Sequence, residues 1–227
     1  MSQIEFINIT KQYGNFKALD NISFTINNGE FIFLVGPSGA GKSTIIKLLI
    51  REELSDAGEI LFNGKNIREF TQKEMPDLRR KIGVVFQDFK LLNSKNVFEN
   101  VSIALEVVNS SETEIKSIVP NVLNLVGLTD KILSFPKQLS GGERQRLCIA
   151  RALAHEPDVL IADEATGNID PDASQEILDL LGKINSLGTT VIMATHDERM
   201  VDQMKKRVLR LDKGSIISDK KGGKYRE

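Results

Sequence analysis

A single cysteine, Cys148, is the chain's whole supply of sulfur for cross-linking, so no internal disulfide can form. That usage fits a reducing compartment. Cys148 falls in the apolar run Arg146-Leu147-Cys148-Ile149-Ala150 and reads as a small buried thiol of the core. Long hydrophobic runs are also missing. No window reaches the roughly 18 apolar residues that a membrane-spanning helix needs. The first residues, Met1-Ser2-Gln3-Ile4-Glu5, have neither the basic stretch nor the apolar stretch of a secretory leader. The expectation is a protein that is soluble and cytosolic by itself, with any membrane contact made through a partner. A charge excess is absent too: 30 Lys plus Arg stand against 31 Asp plus Glu, for a net charge of -1. Nothing in that balance argues for a nucleic-acid ligand. The local exception is Lys220-Lys221-Gly222-Gly223-Lys224-Tyr225-Arg226. It reads as a solvated, frayed tail, the other reading being contact with an anionic membrane surface.

What is present is enough for one large domain, or one domain carrying an inserted lobe: 227 residues, 41% of them hydrophobic, need no disulfide or metal to form a core. Residues 1–35 read as strands. Ile22, Phe24 and Ile26 alternate with polar neighbours, whereas residues 31–35 are continuously apolar, as a strand covered on both faces would be. A Gly-rich loop and a helix from Thr44 follow. Further strands are expected at Ile60–Phe62, 82–87, 159–162 and 189–194, a helix at 175–187, and a terminal hairpin at 207–218 around Lys213-Gly214. Between about 90 and 135 the texture is helical. Pro120 falls inside the second helical segment and is expected to kink or break it. No internal repeat or low-complexity stretch interrupts the pattern. The expected class is α/β, with a mixed, largely parallel core sheet, an antiparallel β part and a helical insert.

Three motifs carry chemistry. Gly36-Pro37-Ser38-Gly39-Ala40-Gly41-Lys42-Ser43 is a complete G-x-x-x-x-G-K-S after an apolar strand and before a helix. Its glycines let backbone N–H groups curl around a phosphate, and the helix N-terminus adds positive potential. Lys42 suits the β- and γ-phosphates of a nucleoside triphosphate, and the Ser43 hydroxyl suits Mg²⁺. The second motif is an apolar strand that ends in two acids, Asp163 and Glu164. Asp163 suits the Mg²⁺ shell, and Glu164, on the other face, is free to polarise a water. The third is Leu139-Ser140-Gly141-Gly142-Glu143-Arg144-Gln145. Ser140 and Glu143 form a capping box, and the two glycines open a second anion-binding helix start.

With these motifs in order, the chain resembles the ABC ATPases over nearly its whole length, residues 139–145 being similar to that family's signature. The resemblance implies one ABC ATPase domain: a core with its antiparallel part at about 1–88 and 136–218, a helical subdomain at about 89–135, and a basic tail at 219–227. It implies ATP binding by Tyr13 (stacked on adenine), by Gly36, Pro37, Ser38, Gly39, Ala40, Gly41, Lys42, Ser43 and Thr44, and by Ser140, Gly141 and Gly142. It implies Mg²⁺ on Ser43, Gln87 and Asp163, and hydrolysis served by Glu164, His196 and Gln87. Gly167-Asn168-Ile169-Asp170 matches the loop that follows the catalytic strand. His155 matches no motif and reads as a solvated surface residue. Because one chain carries one P-loop and one signature, the resemblance implies a head-to-tail homodimer, with Ser140, Gly141 and Gly142 of each chain facing the other's ATP. Where the family usually has proline after its catalytic glutamate, this chain has Ala165, for which a modest effect on turnover is expected.

Gln87-Asp88-Phe89-Lys90-Leu91-Leu92 resembles the bacterial cell-division branch of the family, which implies an integral membrane partner of FtsX type, a peripheral position on the cytoplasmic face of the inner membrane, and no nucleic acid. Residues 166–168 are shared with lipoprotein-release and macrolide-export ATPases, the nearest rival. A DNA- or ribosome-directed ATPase would bring long inserts, zinc-binding inserts or two cassettes, and a dead regulatory module would lack the intact Lys42, Asp163, Glu164 and His196.

Overall fold

The computed structural model describes residues 2–167 and 169–225. Met1 of the leader reading, Asn168 of the 167–170 motif, and Arg226 and Glu227 of the tail lie outside them.

Two sheets organise the chain. Strands β1 (Ser2–Tyr13), β2 (Phe16–Asn27), β4 (Ala57–Phe62) and β5 (Lys65–Asn66) form an antiparallel sheet in the order β2-β1-β4-β5. Its polar–apolar alternation buries one face, where Phe6 and Phe24 stack with ring centroids 4.5 Å apart. The second sheet runs β10-β9-β3-β8-β7-β6. Here β3 (Phe31–Val35), β6 (Ile82–Val85), β7 (Val159–Asp163), β8 (Thr190–Ala194) and β9 (Arg207–Asp212) are parallel, and β10 (Ser215–Lys220) is antiparallel to β9.

The continuous burial of β3 and β8 follows from cover on both sides. Because successive side chains point to opposite faces, Phe31, Phe33 and Val35 join a core with helices α3 (Val97–Glu106), α4 (Glu112–Leu125), α5 (Gly141–Leu153) and α6 (Pro171–Ser186). Ile32 and Leu34 join a second core with α1 (Lys42–Leu49), α2 (Met75–Lys81) and the antiparallel sheet. A short helix, α7 (Glu198–Met204), follows β8. Among the described residues no helix is long and apolar enough to cross a membrane.

Several local expectations need correction. Pro120 does not break its helix, for α4 runs through it. The carbonyl that loses its N–H partner belongs to Lys116, an exposed residue open to water. Helix α6 begins at Pro171 rather than near 175, because the Asp170 side chain accepts from the Ala173 N–H at 2.9 Å and Pro171 takes the first helical position. Strand β6 stops at Val85, so residues 86–92 are irregular. The chain past Ser218 is not frayed over the described residues. β10 continues to Lys220, the Tyr225 N–H donates to Asp202 at 2.8 Å, and the Tyr225 ring packs against the core. His155 is half-buried rather than solvated: its ring donates to the Ala104 carbonyl, and burial, then the nearby Arg80, lowers its pKa.

Arg207 ties the two sheets together. Its guanidinium reaches Glu30 at 3.1 Å, Asp219 at 2.6 Å and the Thr25 carbonyl at 2.7 Å, and is only 10% exposed. Arg207→Ala leaves Glu30 half-buried without its cation. It is expected to remove about 2–3 kcal/mol of stability, somewhat less than a fully buried pair because Asp219 is open to water. Urea denaturation measures this directly.

Candidate functional site

The phosphate loop starts where β3 ends. Gly36 and Gly41 take φ values of 147° and 110°, and a Cβ at either would meet the Leu211 carbonyl oxygen at 2.2 Å or the Ala18 carbonyl oxygen at 2.7 Å. Only glycine fits there. Pro37, Ser38, Gly39 and Ala40 complete the loop, and Lys42, Ser43 and Thr44 form the first turn of α1, which has no acidic residue to offset its positive end. The Lys42 ammonium folds back over the loop, donating to the Gly36 carbonyl at 2.7 Å and the Pro37 carbonyl at 3.1 Å. Burial lowers its pKa, against the pull of Glu164 and Asp163.

A cleft of about 180 Å³ opens over this loop, lined by Ser38, Gly39, Lys42, Ser43, Glu164 and Tyr13 among others. Tyr13 is 40% exposed, and its hydroxyl bonds to the Glu53 carboxylate and the Thr44 hydroxyl. Burial and Glu53 together push its pKa up to about 12. Phe16, opposite Tyr13 across the Gly14-Asn15 turn and 57% exposed, lines the same cleft. Sequence reasoning passed over it, although an aromatic on each side of a two-residue turn was the signal available. Glu53 was passed over as well, for it reaches Tyr13 only through the fold.

Ser43 donates a hydrogen bond to Asp163. A hydroxyl and a carboxylate thus meet beside the phosphate loop, the hard-oxygen donor set that suits Mg²⁺ when the remaining ligands are phosphate oxygens and waters. Burial, then the neighbouring Glu164, raises the Asp163 pKa. A carboxyl whose pKa rises on folding holds its proton more tightly in the folded chain, so its ionisation above that range costs stability. Asp163→Asn is therefore expected to raise the melting temperature of the nucleotide-free protein at neutral pH while lowering Mg²⁺-dependent hydrolysis by about a hundredfold or more. Calorimetry and phosphate release on the same sample check both signs.

Glu164 sits just past β7. Its N–H donates to the Ala194 carbonyl at 2.9 Å, and its φ of 49° is left-handed, which costs a non-glycine residue on the order of 1 kcal/mol. The next residue, Ala165, is buried and spares Glu164 the backbone restriction that a proline would add. His196, past the end of β8, places Nδ1 3.2 Å from Glu164 Oε1. Gln87 and Glu164 both approach Gly167: a Cβ there would stand 3.9 Å from Gln87 Nε2 and 4.0 Å from Glu164 Oε2. Phosphate loop, acids, histidine and glutamine thus converge from four separate stretches of chain.

Ser140, Gly141 and Gly142 do not line that cleft. They open α5, where the Glu143 N–H donates to the Ser140 hydroxyl at 3.1 Å and the Ser140 N–H to Glu143 at 2.7 Å, and Ser140 stays exposed. The largest cleft described, about 680 Å³, holds none of the sequence-predicted site residues, and its Arg51 and Arg68 are tied to the carbonyls of Phe70 and Ser55.

A glycine loop with a buried lysine at a helix start, beside a strand ending in two acids, defines a P-loop nucleotide hydrolase. Residues 19–167 match the family model described as ABC transporter, and the chain belongs to that family as an ATPase. It is 54% identical over 223 residues to the cell division ATP-binding protein FtsE of Bacillus subtilis, covering 98% of each chain. It is 45% identical to the protein of that name from Escherichia coli, covering 94% of this chain and 96% of the relative. Among solved structures it is similar to cbiO1 of Clostridium perfringens, part of an ABC transporter complex, with TM-score 0.90 at 32% identity over 97% of this chain and 89% of that one. It is also similar to a dimeric ATP-binding cassette in a post-hydrolysis state bound to ADP and Pi, with TM-score 0.84 at 31% identity over 97% of this chain and 99% of that one.

Proposed function

We propose that this chain is the ATP-hydrolysing subunit of a membrane complex of bacterial cell division, working as a homodimer on an FtsX-type integral membrane partner at the cytoplasmic face of the inner membrane. The observation that carries this reading is near-full-length identity of 45–54% to relatives named cell division ATP-binding protein FtsE. The dimeric cassette similar to this chain supports the homodimer. So does the position of Ser140, exposed at a helix start and apart from the chain's own phosphate loop.

In the mechanism we assign, the adenine stacks on Tyr13 and the phosphates lie in the loop of residues 36–43 under Lys42. Ser140, Gly141 and Gly142 of the second chain close over the γ-phosphate. Ser43, Asp163 and Gln87 would hold Mg²⁺, which would supply charge neutralisation for the phosphates. Closure excludes water from the site, which strengthens every charge contact within it. Glu164 accepts a hydrogen bond from the attacking water. With its Nδ1 against Glu164, His196 keeps Nε2 for the γ-phosphate. The water oxygen bonds to the γ-phosphorus as its proton passes to Glu164, the bond to the β–γ bridging oxygen breaks with its electron pair left on ADP, and ADP, phosphate and that proton leave as the dimer opens. Opening and closing move the membrane partner.

A partner needs a surface, and one cleft has its character. About 430 Å³ in volume, it is lined by Val107, Val108 and Pro76 among Arg79, Arg80 and His155, with Val107 77% exposed. Phe89 and Leu91 are packed partly into the core, while Leu92 is exposed. Tagged Glu164→Gln protein, incubated with ATP, Mg²⁺ and solubilised native membranes, is expected to co-purify an FtsX-type protein. Recovery of a lipoprotein-release or drug-export permease instead moves the function to transport. Phe89→Ala, Leu91→Ala and Leu92→Ala together are expected to weaken membrane binding, and unchanged binding removes that segment from the docking surface.

A further inference from the structure

Residues 86–92 leave β6 without regular structure, so their backbone polar groups need other partners. For Phe89 and Lys90 those partners come from one helix. The Phe89 carbonyl accepts from Cys148 Sγ at 3.1 Å and from Arg151 Nη2 at 3.0 Å, and the Lys90 carbonyl accepts from Arg151 Nη1 at 2.8 Å. Arg144 lies 5.2 Å from the Phe89 ring centroid and donates to the Leu139 carbonyl at 2.8 Å. All three side chains belong to α5, the helix that Ser140 opens. Lys90 has a φ of 46°, a left-handed backbone that this clamp holds in place. Upstream, Val85 is fixed by its pairing with Ala162, one residue before Asp163. Downstream, Leu92 exchanges hydrogen bonds with the Asn100 side chain at 2.9 and 3.1 Å. Gln87 is strung between the end of β6 and the α5 clamp.

We infer that Arg151 is a positioning residue for Gln87: its guanidinium forks onto two successive carbonyls and makes the Gln87 segment and the Ser140 helix one mechanical unit. The inference rests on the proposed role of Gln87 at the nucleotide. It adds a route by which the helix whose start faces the second chain's ATP sets the glutamine of its own chain's site. A lysine or glutamine at 151 lacks the paired donors that reach both carbonyls.

The test compares Arg151→Gln with Gln87→Ala in the full chain. Arg151→Gln is expected to lower kcat about tenfold with KM for ATP within about twofold, and to raise tryptic cleavage after the exposed Lys90 by about tenfold. A role in folding alone would lower the melting temperature and leave both readings at wild-type values per folded chain. Wild-type kcat in Arg151→Gln, with kcat lowered in Gln87→Ala, overturns the inference. Wild-type kcat in Gln87→Ala removes the role of Gln87 itself, and the inference falls with it. Should Arg151→Gln not fold, Cys148→Ala, which deletes one bond to the Phe89 carbonyl, is expected to move both readings the same way by about threefold; no movement in either overturns the inference.

Discussion

Glu164→Gln is expected to bind ATP with wild-type affinity, to hydrolyse it about a thousandfold more slowly, and to sediment as a dimer when ATP and Mg²⁺ are present. The amide is nearly the shape of the carboxylate, so it keeps the turn that places it, whose N–H bonds to the Ala194 carbonyl at 2.9 Å. It loses the charge that draws the proton side of water toward it. His196, at 3.2 Å, then faces a neutral partner, which weakens its hold without removing it. The nucleotide stays bound because Lys42 and the loop of residues 36–43 are untouched, and a dimer that closes on ATP has no route to open. Sedimentation and single-turnover hydrolysis read the two halves separately. Wild-type turnover would move the base elsewhere.

Lys42→Ala gives the opposite phenotype. ATP affinity should fall by about a hundredfold, with no ATP-dependent dimer, because a buried charge-assisted contact to phosphate is lost. The fold should survive. Burial lowers the Lys42 pKa, so its charge is held at a cost to stability at neutral pH, where the ammonium is protonated. Removing it is expected to leave the melting temperature unchanged or raised. Isothermal titration with ATP and a thermal melt on one preparation test both statements. A lower melting temperature together with intact affinity would make Lys42 a structural residue.

How far the sequence could be read depended on the range of the interaction. The phosphate loop was legible because its rule is local: Gly36 and Gly41 occupy backbone regions closed to other residues, and Lys42 follows at once. The buried strands were legible because burial on both faces writes itself as an unbroken apolar run, as at residues 31–35. Expectation and structure part where a local rule meets a particular environment. Pro120 is a helix breaker by rule, yet the carbonyl it frees is exposed to water. Asp170-Pro171 is a helix start that the periodicity from 175 onward concealed. The Gln87 segment marks the far limit. The contact of Arg151 with Lys90 spans 61 residues of sequence, and no spacing rule joins an arginine on a helix to the carbonyls of a loop. Glu53 was hidden in the same way, because only the fold brings it to Tyr13.

The central claim is that each hydrolytic site is shared between two chains, the phosphate loop from one and Ser140 from the other. Mixing Lys42→Ala with Ser140→Arg tests it most directly. Each variant alone should be inactive, since both sites of its homodimer are damaged. In the mixed dimer one site pairs an intact phosphate loop with an intact Ser140, so an equal mixture should recover about a quarter of wild-type turnover. Activity no greater than the sum of the two separate variants would contradict the shared site and make each chain a self-contained ATPase.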